Sequence, residues 1–346
     1  MRNTCSFSRW NIGINFYRSF ELVVVLRISE NNRIKQKLEK GLVIKSTGSW
    51  YSVKLDNGNT INCKIKGKFR IQGSRSTNPV AVGDRVRIFM DEKKQIGVIT
   101  EIFDRKNYII RKSSKLSKYS QVIAANVDQA FLIATLVSPE TSNEFIDRFL
   151  VTAEAYQIPV HIIFNKIDLY SEPMLNTLKD LTSLYKKIGY TCYETSALKQ
   201  INLKKVGAAM KNKINVVSGK SGVGKSTLIN AIDSSLNIKT AEISAFHQTG
   251  KHTTPLAEMH ELVFGGYIID TPGIKAFGVV DMQKDEIYHF FPEIFRLSKD
   301  CQYYNCLHTH EPNCAVKKGV ENGQISTSRY KSYLNILSDK EEKYRR

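Results

Sequence analysis

The chain has no hydrophobic run long enough to cross a membrane. A spanning helix needs roughly 20 consecutive apolar residues, and the longest early candidate is Leu22 to Leu26. Residues 1–39 also lack the apolar stretch and small-residue cleavage site of a secretory signal. Their scattered arginines fit an organellar presequence somewhat better, but we expect a disordered or non-native extension. The sequence therefore predicts a soluble, cytoplasmic protein with no membrane partner.

Cysteine is scarce as well, which argues against a disulfide framework. Six cysteines occur in 346 residues, and three of them cluster at positions 301, 306 and 314. The other three, Cys5, Cys63 and Cys192, are dispersed. This distribution is typical of one metal site in a reducing compartment.

Acidic residues are outnumbered by basic ones. The chain has 33 Asp and Glu against 51 Lys and Arg, a formal net charge of +18. Such a surplus indicates a polyanionic partner, and on charge alone RNA, DNA and an anionic membrane all remain open. One basic stretch, residues 105–121, is interpreted as an exposed linker or a nucleic-acid-contacting loop. The hydrophobic content of 42% is near the globular average, so long disorder is not expected.

Changes in sequence pattern divide the chain into four segments. After the extension, residues 40–114 show short alternating runs broken by turns such as Asp56-Asn57-Gly58. This pattern predicts an all-β OB-fold barrel of about five strands. Residues 115–284 alternate apolar strands with helical stretches, the pattern of an α/β domain with a parallel sheet. Residues 285–346 are aromatic and polar, and predict a small metal-binding helical domain.

A phosphate-binding loop follows a predicted strand of the α/β segment. Gly219 begins a complete GxxxxGK[ST] motif that ends at Lys225 and Ser226 and runs into a predicted helix. Glycines let backbone N–H groups surround phosphates at a helix N-terminus, Lys225 adds positive charge, and the Ser226 hydroxyl can bind Mg²⁺. The predicted nucleotide contacts of this loop are Gly219, Lys220, Ser221, Gly222, Val223, Gly224, Lys225, Ser226 and Thr227.

Two downstream segments are predicted to complete the magnesium and γ-phosphate site. Asp270 begins the run Asp-Thr-Pro-Gly after an apolar strand. We expect it to hold Mg²⁺ through water, with the Gly273 N–H facing the γ-phosphate. The polar run Gly-Lys-His-Thr-Thr at 250–254 lies where a switch segment supplies a threonine to Mg²⁺. The sequence does not choose between Thr253 and Thr254, and we favour Thr254.

A guanine-reading motif precedes the phosphate loop. Asn165-Lys166-Ile167-Asp168 follows a buried strand, and the Asp168 carboxylate can accept both adjacent donors of guanine, a pair that adenine cannot supply. Asn165 can bridge to the base and to neighbouring loops, while the stem of Lys166 can cover one ring face. The backbone N–H groups of Ser196 and Ala197 can reach the guanine O6. The sequence thus predicts guanine specificity.

The order of these motifs resembles the circularly permuted GTPases. The chain reads NKID, TSA, GKSGVGKS, HTT and DTPG, and its GKSGVGKST and GKHTT wording is similar to the ribosome small-subunit-dependent GTPase A family, RsgA or YjeQ. The resemblance extends from about Gly41 to the C-terminus. It implies an OB-fold, a permuted GTPase domain and a zinc domain that act in late maturation of the small ribosomal subunit.

The permutation makes DTPG the last GTPase motif, so the γ-phosphate sensor leads into the C-terminal domain. We interpret this as a coupling between nucleotide state and the position of that domain. Ile274 stands where many GTPases place a water-orienting glutamine, so another group or a partner must position the water. Our candidate for this catalytic role is His252, whose imidazole lies in the switch loop.

Three cysteines and two histidines lie within the 14 residues that end at position 314. Three thiolates and one imidazole suffice for a closed, structural Zn²⁺ site. The spacing departs from the common CxxC pairs but resembles the family pattern, which singles out His308 over His310. The predicted ligands are Cys301, Cys306, His308 and Cys314.

Three functions compete for these features. A GTPase that acts on the small ribosomal subunit and its RNA accounts for the guanine motif, the charge surplus and the barrel. A P-loop small-molecule kinase leaves the guanine motif and the barrel unexplained. A non-catalytic RNA-binding protein conflicts with the presence of Lys225, Ser226 and Asp270. We therefore predict a monomeric GTP hydrolase that binds GTP or GDP with Mg²⁺ and is stimulated by the subunit.

Overall fold

A computed structural model of the protein describes residues 38–65, 79–91, 96–112, 120–238, 257–270 and 282–344. From Leu38 onward these residues belong to one compact unit. Residues 1–37 of the predicted extension lie outside the described residues, and Leu38 and Glu39 already belong to the first strand. Within the described ranges, no helix is both long and apolar enough to cross a membrane.

The N-terminal strands close into a five-stranded barrel. The strands are β1 (Leu38–Ser46), β2 (Tyr51–Leu55), β3 (Thr60–Ile65), β4 (Arg85–Asp91) and β5 (Ile96–Ile102). They pair in the order β1-β2-β3-β5-β4, and β4 pairs back to β1. Tyr51, Val53 and Leu55 alternate inward along β2 and are buried in the barrel core. The predicted OB-fold barrel is confirmed.

A two-stranded hairpin follows the barrel, where the sequence suggested a basic linker. Strands β6 (Tyr108–Lys112) and β7 (Ser120–Ala125) pair antiparallel, and Ile109 is buried. The backbone N–H of Ala125 donates to the Val82 carbonyl at 2.8 Å, which ties the hairpin to the barrel. The linker prediction was therefore wrong at both ends of the stretch, and residues 113–119 lie outside the described residues.

The central domain is a six-stranded sheet covered by helices. Its strands are β8 (Gln129–Ala134), β9 (Val160–Phe164), β10 (Thr191–Glu194), β11 (Ile214–Ser218), β12 (Ala257–Glu261) and β13 (Tyr267–Asp270). They pair in the order β10-β9-β8-β11-β13-β12, with the first five strands parallel and β12 antiparallel. All six residues of β8 are buried because helices cover both faces of a parallel sheet. The helices are α1 (Asn143–Ala155), α2 (Glu172–Ile188), α3 (Leu203–Met210) and α4 (Lys225–Ile232).

Strand β12 also pairs with β1, so the barrel and the central sheet form one continuous sheet. Lys45 on β1 forms an ion pair with Glu258 on β12 at 2.9 Å. A second ion pair joins Lys54 to Glu261 at the same edge. The barrel is thus attached to the central domain by both backbone and side chains.

The C-terminal segment is helical. A 3₁₀ helix (Lys284–Phe290) leads to α5 (Pro292–Ser298), α6 (Ala315–Glu321) and α7 (Thr327–Tyr344). Its apolar core includes Phe291, Ile294 and Tyr333 together with the thiols of Cys306 and Cys314. The predicted three-part fold is confirmed, with a C-terminal cysteine and histidine cluster that could hold a metal ion.

Candidate functional site

The nucleotide motifs that lie within the described residues meet at one edge of the central sheet. The phosphate loop follows β11, the guanine motif follows β9, and Ser196 follows β10. Asp270 is the last residue of β13, which lies beside β11. The carboxyl ends of parallel strands all lie at one edge of the sheet, which is where α/β folds bind their ligands.

Glycines shape the phosphate loop. Gly219 has a φ of 151°, and a Cβ there would lie 2.4 Å from the Ile133 carbonyl oxygen. Gly224 has a φ of 91°, and its Cβ would lie 2.7 Å from Asn165 Nδ2. Only glycine meets both constraints without strain. The loop therefore keeps its backbone close to β8 and the guanine motif as it enters α4.

The lysine of the phosphate loop is held by the loop itself. Lys225 Nζ donates to the carbonyl oxygens of Gly219 at 2.9 Å and Lys220 at 2.7 Å. Lys225 is also the first residue of α4, whose N-terminal N–H groups favour anions. The ammonium group and the helix terminus thus lie at the same loop, which is the arrangement needed to bind phosphate.

The Asn165 amide joins three loops of the site. Its Nδ2 donates to the Val223 carbonyl at 3.0 Å, and its Oδ1 accepts from the Ala197 N–H and the Thr195 hydroxyl, both at 3.2 Å. Asn165 is 1% exposed, so these bonds form away from competing water. Asp168 is exposed beside them in a short 3₁₀ turn. The structure thus fixes Asn165 and leaves the Asp168 carboxylate facing solvent.

Lys166 crosses from the guanine motif to two other loops. It has a left-handed φ of 63°, and its Nζ donates to Gly222 O at 2.7 Å and Ser138 O at 2.5 Å. Its alkyl stem therefore lies between the guanine motif and the phosphate loop.

Two predicted base contacts already have partners in this structure. The Ala197 N–H donates to Asn165, and the Ser196 N–H makes a long bond of 3.4 Å to the Ile201 carbonyl. A contact to guanine O6 would have to share these donors, so that role remains a proposal.

The segment between β8 and α1, residues 135–142, also belongs to the site, although none of the predicted motifs includes it. Its Ser138 and Glu140 carbonyls accept from Lys166 and Lys220, the latter at 3.1 Å. The signal was present, because this short polar segment follows a buried strand that ends at the ligand-binding edge. It supports both nucleotide loops from one side.

Several predicted residues lie outside the described residues. They are His252, Thr253, Thr254, Gly273 and Ile274. For Asp270 the structure describes the backbone, at the end of β13. The proposed roles of these six residues therefore rest on the sequence.

The four predicted metal ligands come together in the C-terminal domain. Their donor atoms all lie within 4.8 Å of one another. His308 Nδ1 is 3.6 Å from Cys301 Sγ and 3.5 Å from Cys314 Sγ. The alternative, His310, is exposed and does not belong to this cluster.

The loop that carries His308 is held by second contacts. The Glu311 carboxylate accepts from the backbone N–H groups of Leu307 at 2.7 Å and Thr309 at 2.8 Å. The hydroxyls of Tyr333 and Tyr330 donate to the Leu307 and His308 carbonyls at 2.5 and 2.6 Å. The ligand loop is therefore fixed by partners of its own domain.

The protonation chemistry of this cluster fits a metal ion. Burial lowers the pKa of the His308 imidazole to about 4, so the ring is neutral at pH 7, as a metal ligand must be. Burial also raises the pKa of the Cys306 thiol to about 12. A cation at the centre favours the thiolate form, which buried thiols otherwise avoid. Three thiolates and one imidazole match a closed tetrahedral site.

The fold and these loops define a class of protein. A phosphate loop beside a guanine-reading motif, on adjacent parts of a parallel sheet, is the arrangement of P-loop GTPases, here with the motif order permuted. More particularly, the chain belongs to the RsgA GTPase family. The family model of the RsgA GTPase matches residues 102–280, and that of the RsgA N-terminal domain matches residues 40–99. The protein is therefore a GTP hydrolase.

Curated relatives and solved structures agree with this assignment. The chain is 58% identical over 307 residues to the small ribosomal subunit biogenesis GTPase RsgA of Bacteroides fragilis strain YCH46, covering 88% of this chain and 99% of the relative. It is 54% identical to the same-named protein of Christiangramia forsetii, covering 88% and 98%. The crystal structure of YjeQ from Thermotoga maritima matches with a TM-score of 0.72 and 33% identity, covering 88% and 98%. YloQ, a circularly permuted GTPase, matches with a TM-score of 0.71 and 31% identity, covering 90% and 98%.

Proposed function

We propose that this GTPase binds the small ribosomal subunit and its RNA, and couples GTP hydrolysis to late maturation of the subunit and release of a factor. The observation that carries the proposal is the 58% identity to a relative named a small ribosomal subunit biogenesis GTPase. The surplus of +18 supports an RNA partner, because Lys and Arg contacts to phosphates release counterions. We propose that it acts in the cytoplasm as a monomer.

We assign the nucleotide contacts to the loops at the ligand-binding edge. The phosphate loop binds the β- and γ-phosphates through backbone N–H groups and Lys225, and Asp168 accepts from the guanine N1–H and N2–H₂. The side-chain hydrogen bonds of Asn165 to two other loops support this assignment, because they hold the base-reading and phosphate-binding segments in register. Bound Mg²⁺, held by Ser226 and Thr254 with Asp270 through water, would neutralise charge on the phosphates.

The experiment for this proposal measures turnover of GTP and ATP with and without purified small ribosomal subunits. We expect slow GTP hydrolysis by the protein alone, because Ile274 replaces the usual water-orienting glutamine. Added subunits should raise the rate by at least about tenfold, which corresponds to about 1.4 kcal/mol of barrier. His252→Ala should remove most of that stimulation if its imidazole orients the water.

The salt dependence of binding is the internal control of that experiment. Binding to subunits should weaken steeply as salt rises, since each phosphate contact displaces counterions. GTP turnover that subunits leave unchanged would contradict the ribosomal proposal but not the GTPase assignment. ATP-dependent phosphorylation of a small molecule would favour a kinase instead.

We further propose that the C-terminal cluster binds one structural Zn²⁺. The donor set carries this proposal, because three cysteines and a buried neutral imidazole converge within 4.8 Å. A structural zinc contributes on the order of 10 kcal/mol of binding free energy in small zinc domains. That exceeds what a core of three short helices and one longer helix can supply alone.

Replacing Cys306 with Ser should remove the zinc and loosen the C-terminal domain. The hydroxyl of serine is a poor Zn²⁺ ligand, and the remaining ligands cannot complete a tetrahedron. Zinc content by atomic absorption should fall from about one per chain to nearly none, and protease should cleave within residues 282–344. The matched control is Cys192→Ser in β10, outside the cluster, which should keep its zinc. Equal zinc in all three proteins would exclude the site.

A further inference from the structure

Helix α1 has two buried faces that belong to different domains. Ile146, Phe149 and Leu150 pack in the core of the central domain. Val151 instead belongs to the buried cluster of the C-terminal domain, which also contains Phe291. One helix is therefore shared between the nucleotide-binding sheet and the domain that carries the metal cluster.

A buried charge cluster ties the second face of α1 to the C-terminal domain. Arg329 on α7 donates from Nη1 to Asp147 Oδ1 of α1 at 2.8 Å. It also forms a two-point contact with Glu293 of α5, from Nε at 2.6 Å and Nη2 at 3.2 Å. The Arg329 and Asp147 side chains are both 0% exposed. The Tyr185 hydroxyl of α2 donates to the same Asp147 oxygen at 2.9 Å.

Such a cluster fixes position more than it adds stability. Burying charges costs desolvation free energy, which close and well-oriented partners offset only in one geometry. The planar guanidinium of Arg329 also lies 4.6 Å from the centre of the Phe291 ring. A shift of the C-terminal domain along α1 would separate the buried charges, so we expect α1 and the C-terminal domain to move together.

The other end of α1 is attached to the nucleotide loops. The helix begins at Asn143, directly after the segment 135–142, which accepts hydrogen bonds from Lys166 and Lys220. A Cβ on Gly222 of the phosphate loop would lie 3.2 Å from Pro139 Cδ, so the two segments are in close approach. The Lys220 ammonium also lies 5.4 Å from the Phe145 ring centre in the first turn of α1.

We infer that α1 transmits changes in the nucleotide loops to the C-terminal domain, and that Arg329 is the positioning residue that attaches this domain to the helix. The inference rests on the proposed nucleotide contacts of the phosphate and guanine loops. It is separate from the route suggested by the permuted sequence, which passes through residues 271–281, outside the described residues. The α1 route begins at the guanine and phosphate loops. GDP contacts both loops in the proposed site, so GDP without a γ-phosphate should be sufficient to produce the effect.

The test compares amide hydrogen exchange of the full chain with and without GDP. In the wild-type protein, GDP should slow exchange at residues 219–227 directly and at α5 and α7 through α1. We expect at least about a fivefold slowing in α7, the lower end of ordinary coupling between sites. The uncoupled variant combines Arg329→Met, Glu293→Gln and Asp147→Asn, so that none of these three charges is left buried without its partner. It should keep the slowing at the phosphate loop and lose it in α7.

Two further variants make the result decisive. Arg85→Met removes an exposed arginine from the barrel, where it forms an ion pair with Asp56 at 3.0 Å, and it should behave as wild type. Tyr185→Phe deletes only the hydroxyl that supports Asp147, so it tests the cluster even if the triple variant does not fold, and it should weaken the α7 effect in part. The inference would be overturned if GDP left the exchange rate of α7 unchanged in the wild-type protein. It would also be overturned if GDP slowed exchange in α7 equally in the wild type and in the cluster variants. No slowing at residues 219–227 would instead contradict the proposed nucleotide site.

Discussion

Replacing Lys225 with Met should lower kcat/KM for GTP by about 10²- to 10³-fold, the usual effect of removing one charged group that stabilises a transition state. The Lys225 ammonium is held at the phosphate loop by the carbonyls of Gly219 and Lys220. There it can follow the negative charge that develops on the phosphate oxygens. The general surplus of +18 cannot replace it, because physiological salt largely screens exposed charges that lie more than about 8 Å away.

The measurement is single-turnover GTP hydrolysis, alone and with small ribosomal subunits, together with the Kd for a fluorescent GDP. Lys205→Met provides the matched control, since Lys205 is exposed on α3 of the same domain. It loses the same charge and should retain the wild-type rate. A Lys225→Met rate within about twofold of wild type would remove Lys225 from the proposed site.

Local patterns in the sequence were enough to predict the loops and most of the strands. The backbone conformation of the phosphate loop requires glycine at positions 219 and 224, so the motif predicts the shape of the loop as well as its function. Alternation predicted β2, and a nearly continuous apolar run predicted β8. These features depend on residues a few positions apart.

Features that depend on distant residues were not predicted. Arg329 and Asp147 are 182 positions apart, and Arg329 stands in a basic, polar stretch that is typical of a solvated helix face. Lys45 and Glu258, which join the barrel to the central sheet, are 213 positions apart. The hairpin was missed for a related reason. Its lysines and serines are typical of an exposed loop, whereas Ile109 is buried in the central core.

We expect substitution of the carboxylate that contacts the base to have as large an effect as substitution in the phosphate loop. Asp168→Asn should weaken GDP and GTP binding by about 10²- to 10⁴-fold, because two hydrogen bonds to an ionised acceptor are lost. An asparagine presents one acceptor and one donor group, and its N–H₂ would face the guanine N2–H₂, another donor. Xanthine carries a carbonyl oxygen in place of that amino group, so the variant should bind xanthosine diphosphate better than GDP.

Competition of GDP, xanthosine diphosphate and ADP against a fluorescent nucleotide measures this reversal. Because Asp168 is exposed, the substitution should leave the free energy of unfolding within about 0.5 kcal/mol of wild type. Glu172→Gln, which neutralises an exposed carboxylate four residues later at the start of α2, should keep guanine preference. If Asp168→Asn lowered affinity for both bases equally, Asp168 would support the loop without reading the base. A reversed preference requires direct contact, since only a group that meets position 2 of the purine can distinguish an amino group from a carbonyl oxygen there.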